Sequence, residues 1–176
     1  MVNYSVVECS LEEHGEVILA ILNDAIENST ALYDYKPRTL DSMVTWFETK
    51  RAGNFPVIGL VSDSGQLMGF GSFGAFRVQP AYKYTVEHSV YLHQDFRGLG
   101  LGKVLLKLVI DAAVARELHA VIGVIDSTNA GSIALHQKLG FKCVGTLPQV
   151  GFKFGRWLNV DLYQLTLNGP ANPADG

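Results

Sequence analysis

The sequence predicts an α/β fold in which one mixed sheet is covered by helices. Three observations carry that prediction. A chain of 176 residues is the size of one domain, and one core can bury most of its apolar side chains. Apolar residues are 48% and charged residues 18%, the balance of a packed globule rather than a disordered chain. Strand-like runs and helix-period segments also interchange along the whole length, with no internal repeat and no linker.

Taken in order, Tyr4 to Glu8 is a short opening strand. Ser10-Leu11-Glu12-Glu13 then has the spacing of a capping box, in which Ser10 and Glu13 satisfy each other's backbone donors. Val17, Ile18, Ile21, Leu22 and Ala25 follow at helical spacing, giving one apolar face. Pro37 lies in the connection to a second short helix with Met43, Val44, Trp46 and Phe47. Phe55 to Ser62 is a buried strand, Asp63-Ser64-Gly65-Gln66 a turn, and Leu67 to Phe76 the returning arm of a hairpin.

A loop through Pro80 leads to a strand from Tyr84 to Leu92. A glycine loop follows, then a helix carrying Val104, Leu105, Leu108, Val109 and Ala112. Val121 to Ile125 is a further buried strand, and Asn129 to Leu139 a short helix stopped by Gly140 in a left-handed cap position. Two strands, Lys142 to Pro148 and Trp157 to Leu167, close a domain expected to span 1–168. Residues 169–176, rich in Gly, Pro, Ala and Asp, are expected to form a flexible tail.

A net charge of −3 and scattered basic residues give no general attraction to nucleic acid or an anionic membrane. No apolar stretch approaches the roughly 20 residues of a membrane helix, and Met1-Val2-Asn3-Tyr4 does not open a signal peptide. Cys9 and Cys143 form neither a disulfide framework nor a zinc spacing, so a cytoplasmic protein without a metal is expected.

The most specific local feature is Arg97-Gly98-Leu99-Gly100-Leu101-Gly102-Lys103, between a strand and an apolar helix. Glycines let backbone N–H groups approach a ligand, and a helix start adds the positive end of its dipole, so the segment suits a pyrophosphate. Arg97 and Lys103 add charge at its edges. A P-loop would need a glycine where Arg97 stands and Ser or Thr where Val104 stands, and the dinucleotide fingerprint would need glycine at Lys103.

Arg97-Gly98-Leu99-Gly100-Leu101-Gly102 resembles the Arg/Gln-x-x-Gly-x-Gly/Ala loop of the GCN5-related N-acetyltransferase (GNAT) superfamily. Asn129-Ala130-Gly131-Ser132-Ile133-Ala134-Leu135-His136-Gln137-Lys138-Leu139-Gly140-Phe141 resembles its second landmark. More specific still, Asn23-Asp24-Ala25, Thr85-Val86-Glu87-His88-Ser89-Val90-Tyr91, Pro148-Gln149-Val150-Gly151 and Lys153-Phe154-Gly155-Arg156-Trp157 are similar to the phosphinothricin and methionine sulfoximine acetyltransferases. The resemblance implies a GNAT-type mixed sheet with helices on both faces, splayed between the Tyr84–Leu92 and Val121–Ile125 strands to admit acetyl-CoA. It also implies a homodimer and a small amino-acid substrate.

Alternation puts Thr85, Glu87, Ser89 and Tyr91 on one strand face and Val86, His88, Val90 and Leu92 on the other. A half-buried carboxylate can take the proton of an α-ammonium group, and the resemblance places the general base at Glu87. His88 reads either as a satisfied core histidine or as a participant. The resemblance pairs the backbone of Val90, Tyr91 and Leu92 with the pantetheine arm, the loop Arg97, Gly98, Leu99, Gly100, Leu101, Gly102 and Lys103 with the phosphates, and Asn129 and Ser132 with either. Asn129 reads equally as a helix cap.

Many superfamily members carry Tyr where this chain has His136. A protonated imidazole there can serve the departing thiolate, or the residue can sit on the surface. The resemblance places the substrate contacts at Phe76, Arg77, Val78 and Gln79, with Glu87, His88 and Ser89. The Arg77 guanidinium either grips an α-carboxylate or is solvated in its loop. Lys153 and Arg156, in the Gly151–Trp157 turn, are further candidates for that pocket or a second subunit's. Trp46, Phe47 and the Tyr33–Tyr35 pair read as core or pocket wall. Nothing in the sequence beside Cys143 activates a thiol for a covalent route. The activity that the resemblance implies is direct acetyl transfer to methionine sulfoximine, methionine sulfone or phosphinothricin. Polyamine or peptide acetylation, or a CoA-binding module without chemistry, are the alternatives.

Overall fold

Side-chain caps start the first helices of the computed structural model, which describes residues 2–175. After β1 (Ser5–Glu8), Ser10 caps α1 (Leu11–Asn28) by accepting from the Glu13 N–H at 3.2 Å. The return half of the expected box is different: the Ser10 N–H donates to His14 Nδ1 at 3.2 Å, one residue beyond Glu13. The reciprocal box belongs to α2 (Leu40–Ala52), where Thr39 and Ser42 exchange both bonds.

The remaining elements are β2 (Val57–Val61), β3 (Leu67–Ala75), β4 (Thr85–Leu92), α3 (Leu101–Ala115), β5 (Ala120–Asp126), α4 (Ala130–Lys138), β6 (Lys142–Lys153) and β7 (Arg156–Thr166). The strands form one seven-stranded mixed sheet in the order β1-β2-β3-β4-β5-β7-β6, with β4 and β5 parallel. Chain contacts divide the molecule into two compact units, Met1–Phe73 with Ser89–Val109, and Gly74–His88 with Ile110–Gly176.

In the first unit, a bulge organises the β2–β3 hairpin. Val61 pairs with Leu67 and Leu60 with Gly69, so Met68 is the extra residue. Leu67 and Phe70 therefore share a layer with Ile18, Ile21, Leu22 and Met43 of α1 and α2. Met68 turns to the opposite layer with Leu60, Leu101 and Leu105. On that second face Gly71 keeps room for α3, since a Cβ there would sit 2.7 Å from Val109 Cγ2.

In the second unit, Val86, Val121, Phe141, Leu158, Val160 and Tyr163 are among the buried apolar residues. The final hairpin is longer than its sequence suggests. β6 continues past Pro148 to Lys153, so Gly151–Lys153 is strand rather than turn. A register shift between Leu147 and Gly151 absorbs the proline, and the Asn159 side chain accepts from the Gln149 N–H at 2.9 Å. The turn itself is Phe154-Gly155, with φ of 51° and 72°. Two left-handed residues suit a tight hairpin, but phenylalanine in the first place gives no turn signal. His119 Nδ1 lies 2.9 Å from the Gly169 carbonyl, and the Tyr84 hydroxyl accepts from the Ala174 N–H at 3.2 Å.

Candidate functional site

The glycine loop belongs to the first unit, together with the second half of β4. Val90 and Leu92 pack towards Leu101 and Leu105, whereas the Tyr91 ring lies 5.7 Å from Phe70 in the other layer. A Cβ at Gly69 would meet the Tyr91 carbonyl at 2.7 Å, so glycine sets how closely β3 approaches the end of β4. The His93 N–H then donates to the Met68 carbonyl at 2.9 Å, and a single turn over Gln94–Phe96 delivers the chain to Arg97.

Gly98 and Gly100 have φ of 77° and 80°, and a Cβ on either would have nothing within 4 Å. Their requirement is conformational rather than a matter of packing. Leu99 and Lys103 are exposed and Gly102 is half-buried, while buried Leu101 pins the first turn of α3. Left-handed glycines leading into a helix start form a place where backbone dipoles favour an anion.

Arg97 is not a free cation beside that loop. Its Nη2 forms a short ion pair with Asp24 of α1 and lies 3.4 Å from the Leu92 carbonyl. The Asp24 carboxyl is held below its ordinary range, first by the hydrogen bond from Asn28 and then by Arg97. Asp24 is a partner the sequence reading did not assign. The ion pair joins residues 73 apart, and Asn23-Asp24-Ala25 marked only a family likeness.

In the second unit, Thr85, Val86 and Glu87 pair in unbroken register with Ala120, Val121 and Ile122. Regular alternation therefore separates half-buried Glu87 from Val86 and His88, as the sequence suggested. His88 meets His136 of α4, with their Nε2 atoms 2.8 Å apart and the rings stacked at 4.9 Å. His136 is 4% exposed, not a surface residue, and its Nδ1 lies 2.7 Å from the Ser132 carbonyl. Gly123 is the floor of this pair, since a Cβ there would lie 3.0 Å from both Nε2 atoms. The Phe141 ring stands edge-on to both imidazoles, and Tyr163 is tilted against His136.

Burial, reinforced by His136, pushes the His88 pKa down to about 3, and burial also lowers that of His136. Both rings are therefore neutral at pH 7. Asn129 is the α4 cap, its Oδ1 accepting from the Ser132 N–H at 3.0 Å. Of the expected substrate contacts, Ser89 and Phe76 are half-buried, while Arg77, Val78 and Gln79 are exposed. Arg77 lies 4.3 Å above the Phe76 ring and donates to the Phe76 carbonyl at 2.9 Å. Lys153 is buried, 4.9 Å from the Phe154 ring, and Arg156 is exposed.

Exposed Cys143 has its Sγ 3.8 Å from the Gly145 carbonyl, while burial pushes the Cys9 thiol up to about 12. Among the described residues, no helix is long and apolar enough to cross a membrane, and no three His, Cys, Asp or Glu side chains gather as a metal site.

Residues 19–141 match the model of the acetyltransferase (GNAT) family. The L-methionine sulfoximine/L-methionine sulfone acetyltransferase of Pseudomonas aeruginosa is 44% identical over 151 residues, which cover 86% of this chain and 88% of that protein. Among solved structures, an Acinetobacter baylyi protein described as an acetyltransferase superposes with a TM-score of 0.99 at 59% identity, covering 100% of this chain and 98% of that one. A Sinorhizobium meliloti phosphinothricin acetyltransferase solved with acetyl-CoA has a TM-score of 0.91 at 30% identity, covering 97% and 92%.

Proposed function

We propose that this chain, which belongs to the acetyltransferase (GNAT) family, moves the acetyl group of acetyl-CoA to the α-amine of a small amino acid such as methionine sulfoximine, methionine sulfone or phosphinothricin. The observation that carries the cofactor reading is the pair of left-handed glycines, Gly98 and Gly100, opening into α3. That geometry suits a diphosphate held by backbone N–H groups. The acceptor reading is supported by the Pseudomonas aeruginosa and Sinorhizobium meliloti relatives.

In this mechanism the half-buried Glu87 carboxylate takes a proton from the substrate ammonium, directly or through a water. The neutral amine attacks the thioester carbonyl, the C–N bond forms, the C–S bond breaks, and CoA leaves as a thiolate that takes up the proton which the attacking nitrogen sheds in becoming an amide. Backbone groups of Val90, Tyr91 and Leu92 align the pantetheine arm and polarise the carbonyl. Lys103 and the loop N–H groups meet the phosphates, with Asn129 and Ser132 beside the arm. Phe76, Arg77, Val78, Gln79 and Ser89 serve the acceptor, whereas His88, also expected there from the sequence, turns its ring to His136. His136 enters as a buried neutral ring, neither the protonated imidazole nor the surface residue between which the sequence left the choice open.

The protein acts as a homodimer in the cytoplasm in this proposal. Edge strand β6 and the hairpin to β7 present exposed Val144, Leu147, Val150, Phe152, Phe154 and Trp157, an apolar surface that a second copy would cover. The two free thiols suit a reducing compartment.

The deciding assay follows CoA release from acetyl-CoA with purified protein across amino acids, polyamines and peptides. Turnover on methionine sulfoximine or its analogues is expected. Turnover confined to peptides or polyamines, or none at all, overturns the acceptor reading. Glu87→Gln is expected to lose about 100-fold in kcat while still binding acetyl-CoA. Undiminished turnover would remove Glu87 as the base.

A further inference from the structure

The hydrogen positions of the histidine pair follow from one acceptor. The Ser132 carbonyl can only accept, so its 2.7 Å contact requires the hydrogen of His136 on Nδ1. A neutral His136 then offers a lone pair at Nε2, and the 2.8 Å contact there requires His88 to donate from its own Nε2. Neutral His88 is left with a lone pair on Nδ1. That atom is buried and has no hydrogen-bond partner among the described residues.

We propose that His88 is a positioning residue for acetyl transfer: its Nε2–H holds His136 in the Nδ1–H tautomer, and the pair accepts a proton at a single atom, His88 Nδ1. The inference rests on the reading that His136 serves the transfer step. Two bonds at opposite ends of the ring, the Gly123 floor and the Phe141 edge leave His136 one orientation. A proton arriving at His88 Nδ1 keeps the Nε2–H···Nε2 bond and makes it charge-assisted. That bond can then pass its hydrogen to His136 Nε2, so one proton enters and none is lost. The other three ring nitrogens are already engaged, His136 Nδ1 with the Ser132 carbonyl and the two Nε2 atoms with each other, so His88 Nδ1 holds the pair's one lone pair outside a hydrogen bond. Of the ionisable side chains on the elements packed here, Tyr163 lies against the His136 ring and Glu87 is on the opposite face of β4.

Nitrogen-15 NMR of the full chain with labelled histidine reads the tautomers directly. The expected spectrum has His136 protonated on Nδ1 and His88 on Nε2 at neutral pH. A hydrogen on His88 Nδ1 overturns the proposal. Kinetics then separate positioning from packing. His88→Gln carries an amide N–H where Nε2 was, and is expected to keep the His136 tautomer and kcat within about threefold. His88→Leu and His88→Asn cannot donate there, and are expected to show mixed His136 tautomers and kcat lower by about tenfold, with KM for acetyl-CoA unchanged. Full kcat in either donor-less variant overturns the role, and the Asn variant serves should the Leu variant not fold. If the wild-type protein acetylates none of the amino acids, the acceptor reading fails while the NMR result still decides the pair.

Discussion

The glycine loop and the histidine pair are built on opposite principles. Around Gly98 and Gly100 the chain is exposed, and a methyl group on either would touch nothing within 4 Å. Around Gly123 the chain is closed, and a methyl group would press on two imidazoles at 3.0 Å. Glycine is needed for backbone conformation in the first place and for space in the second. Damage to the loop should therefore appear in cofactor binding, and damage beneath the histidines in stability.

Acid should separate the two most widely. His88 has a folded pKa of about 3 against an ordinary 6.5. The unfolded chain therefore binds more protons between those values, and stability present above pH 6.5 is lost as pH falls towards 3. The expected slope well below pH 6.5 is about 1.4 kcal/mol per pH unit for this group, and His136 adds in the same direction. Denaturant melts along a pH series would read it, and His88→Leu should flatten the acid limb. An unchanged limb would mean that the pair is already charged at neutral pH.

Gly123→Ala comes next, with an expected loss of about 1–3 kcal/mol from overpacking. Thermal melts check it, and acetyl-CoA affinity should not change. Gly100→Val is the mirror case. A β-branched residue at φ 80° is strained, and the loop should open or shift. Acetyl-CoA is expected to bind about tenfold more weakly, as titration calorimetry would show. If Gly123→Ala weakened acetyl-CoA binding as much as Gly100→Val, the contrast would collapse.

The smallest effect belongs to Asp24→Asn. The ion pair is partly exposed, so its loss should cost less than about 1 kcal/mol in stability. Its interest lies in direction. Releasing Arg97 should leave acetyl-CoA affinity equal or slightly higher if the guanidinium then turns to a phosphate. A marked loss would show that Asp24 holds the loop in its binding shape.

The same contrast explains how much could be read from the sequence. The loop is local: strand, alternating glycines and apolar helix lie within a few turns of chain, so spacing alone marked it. Alternation likewise put Glu87 and His88 on opposite faces of β4, and the regular pairing with β5 agrees. The histidine pair joins residues 48 apart, and Gly123 looked like any glycine in a strand. Asp24 was hidden for the same reason. The final turn was expected somewhere in Gly151–Trp157, but its two-residue tip at Phe154-Gly155 was not marked, because a bulky residue there breaks the turn rules that sequence reading depends on.

The bulge at Met68 also bears on which changes in chain length the β2–β3 hairpin can survive. Met68 is the residue without an opposite partner, so losing its codon would leave Leu67 and Phe70 facing α1 and α2 as before. The damage would be limited to one thioether side chain and the carbonyl that receives the His93 N–H. A codon lost from Phe70 to Ser72 would instead invert one end of the strand against its neighbour. Within this hairpin, position 68 is where natural length variants of the protein should be found.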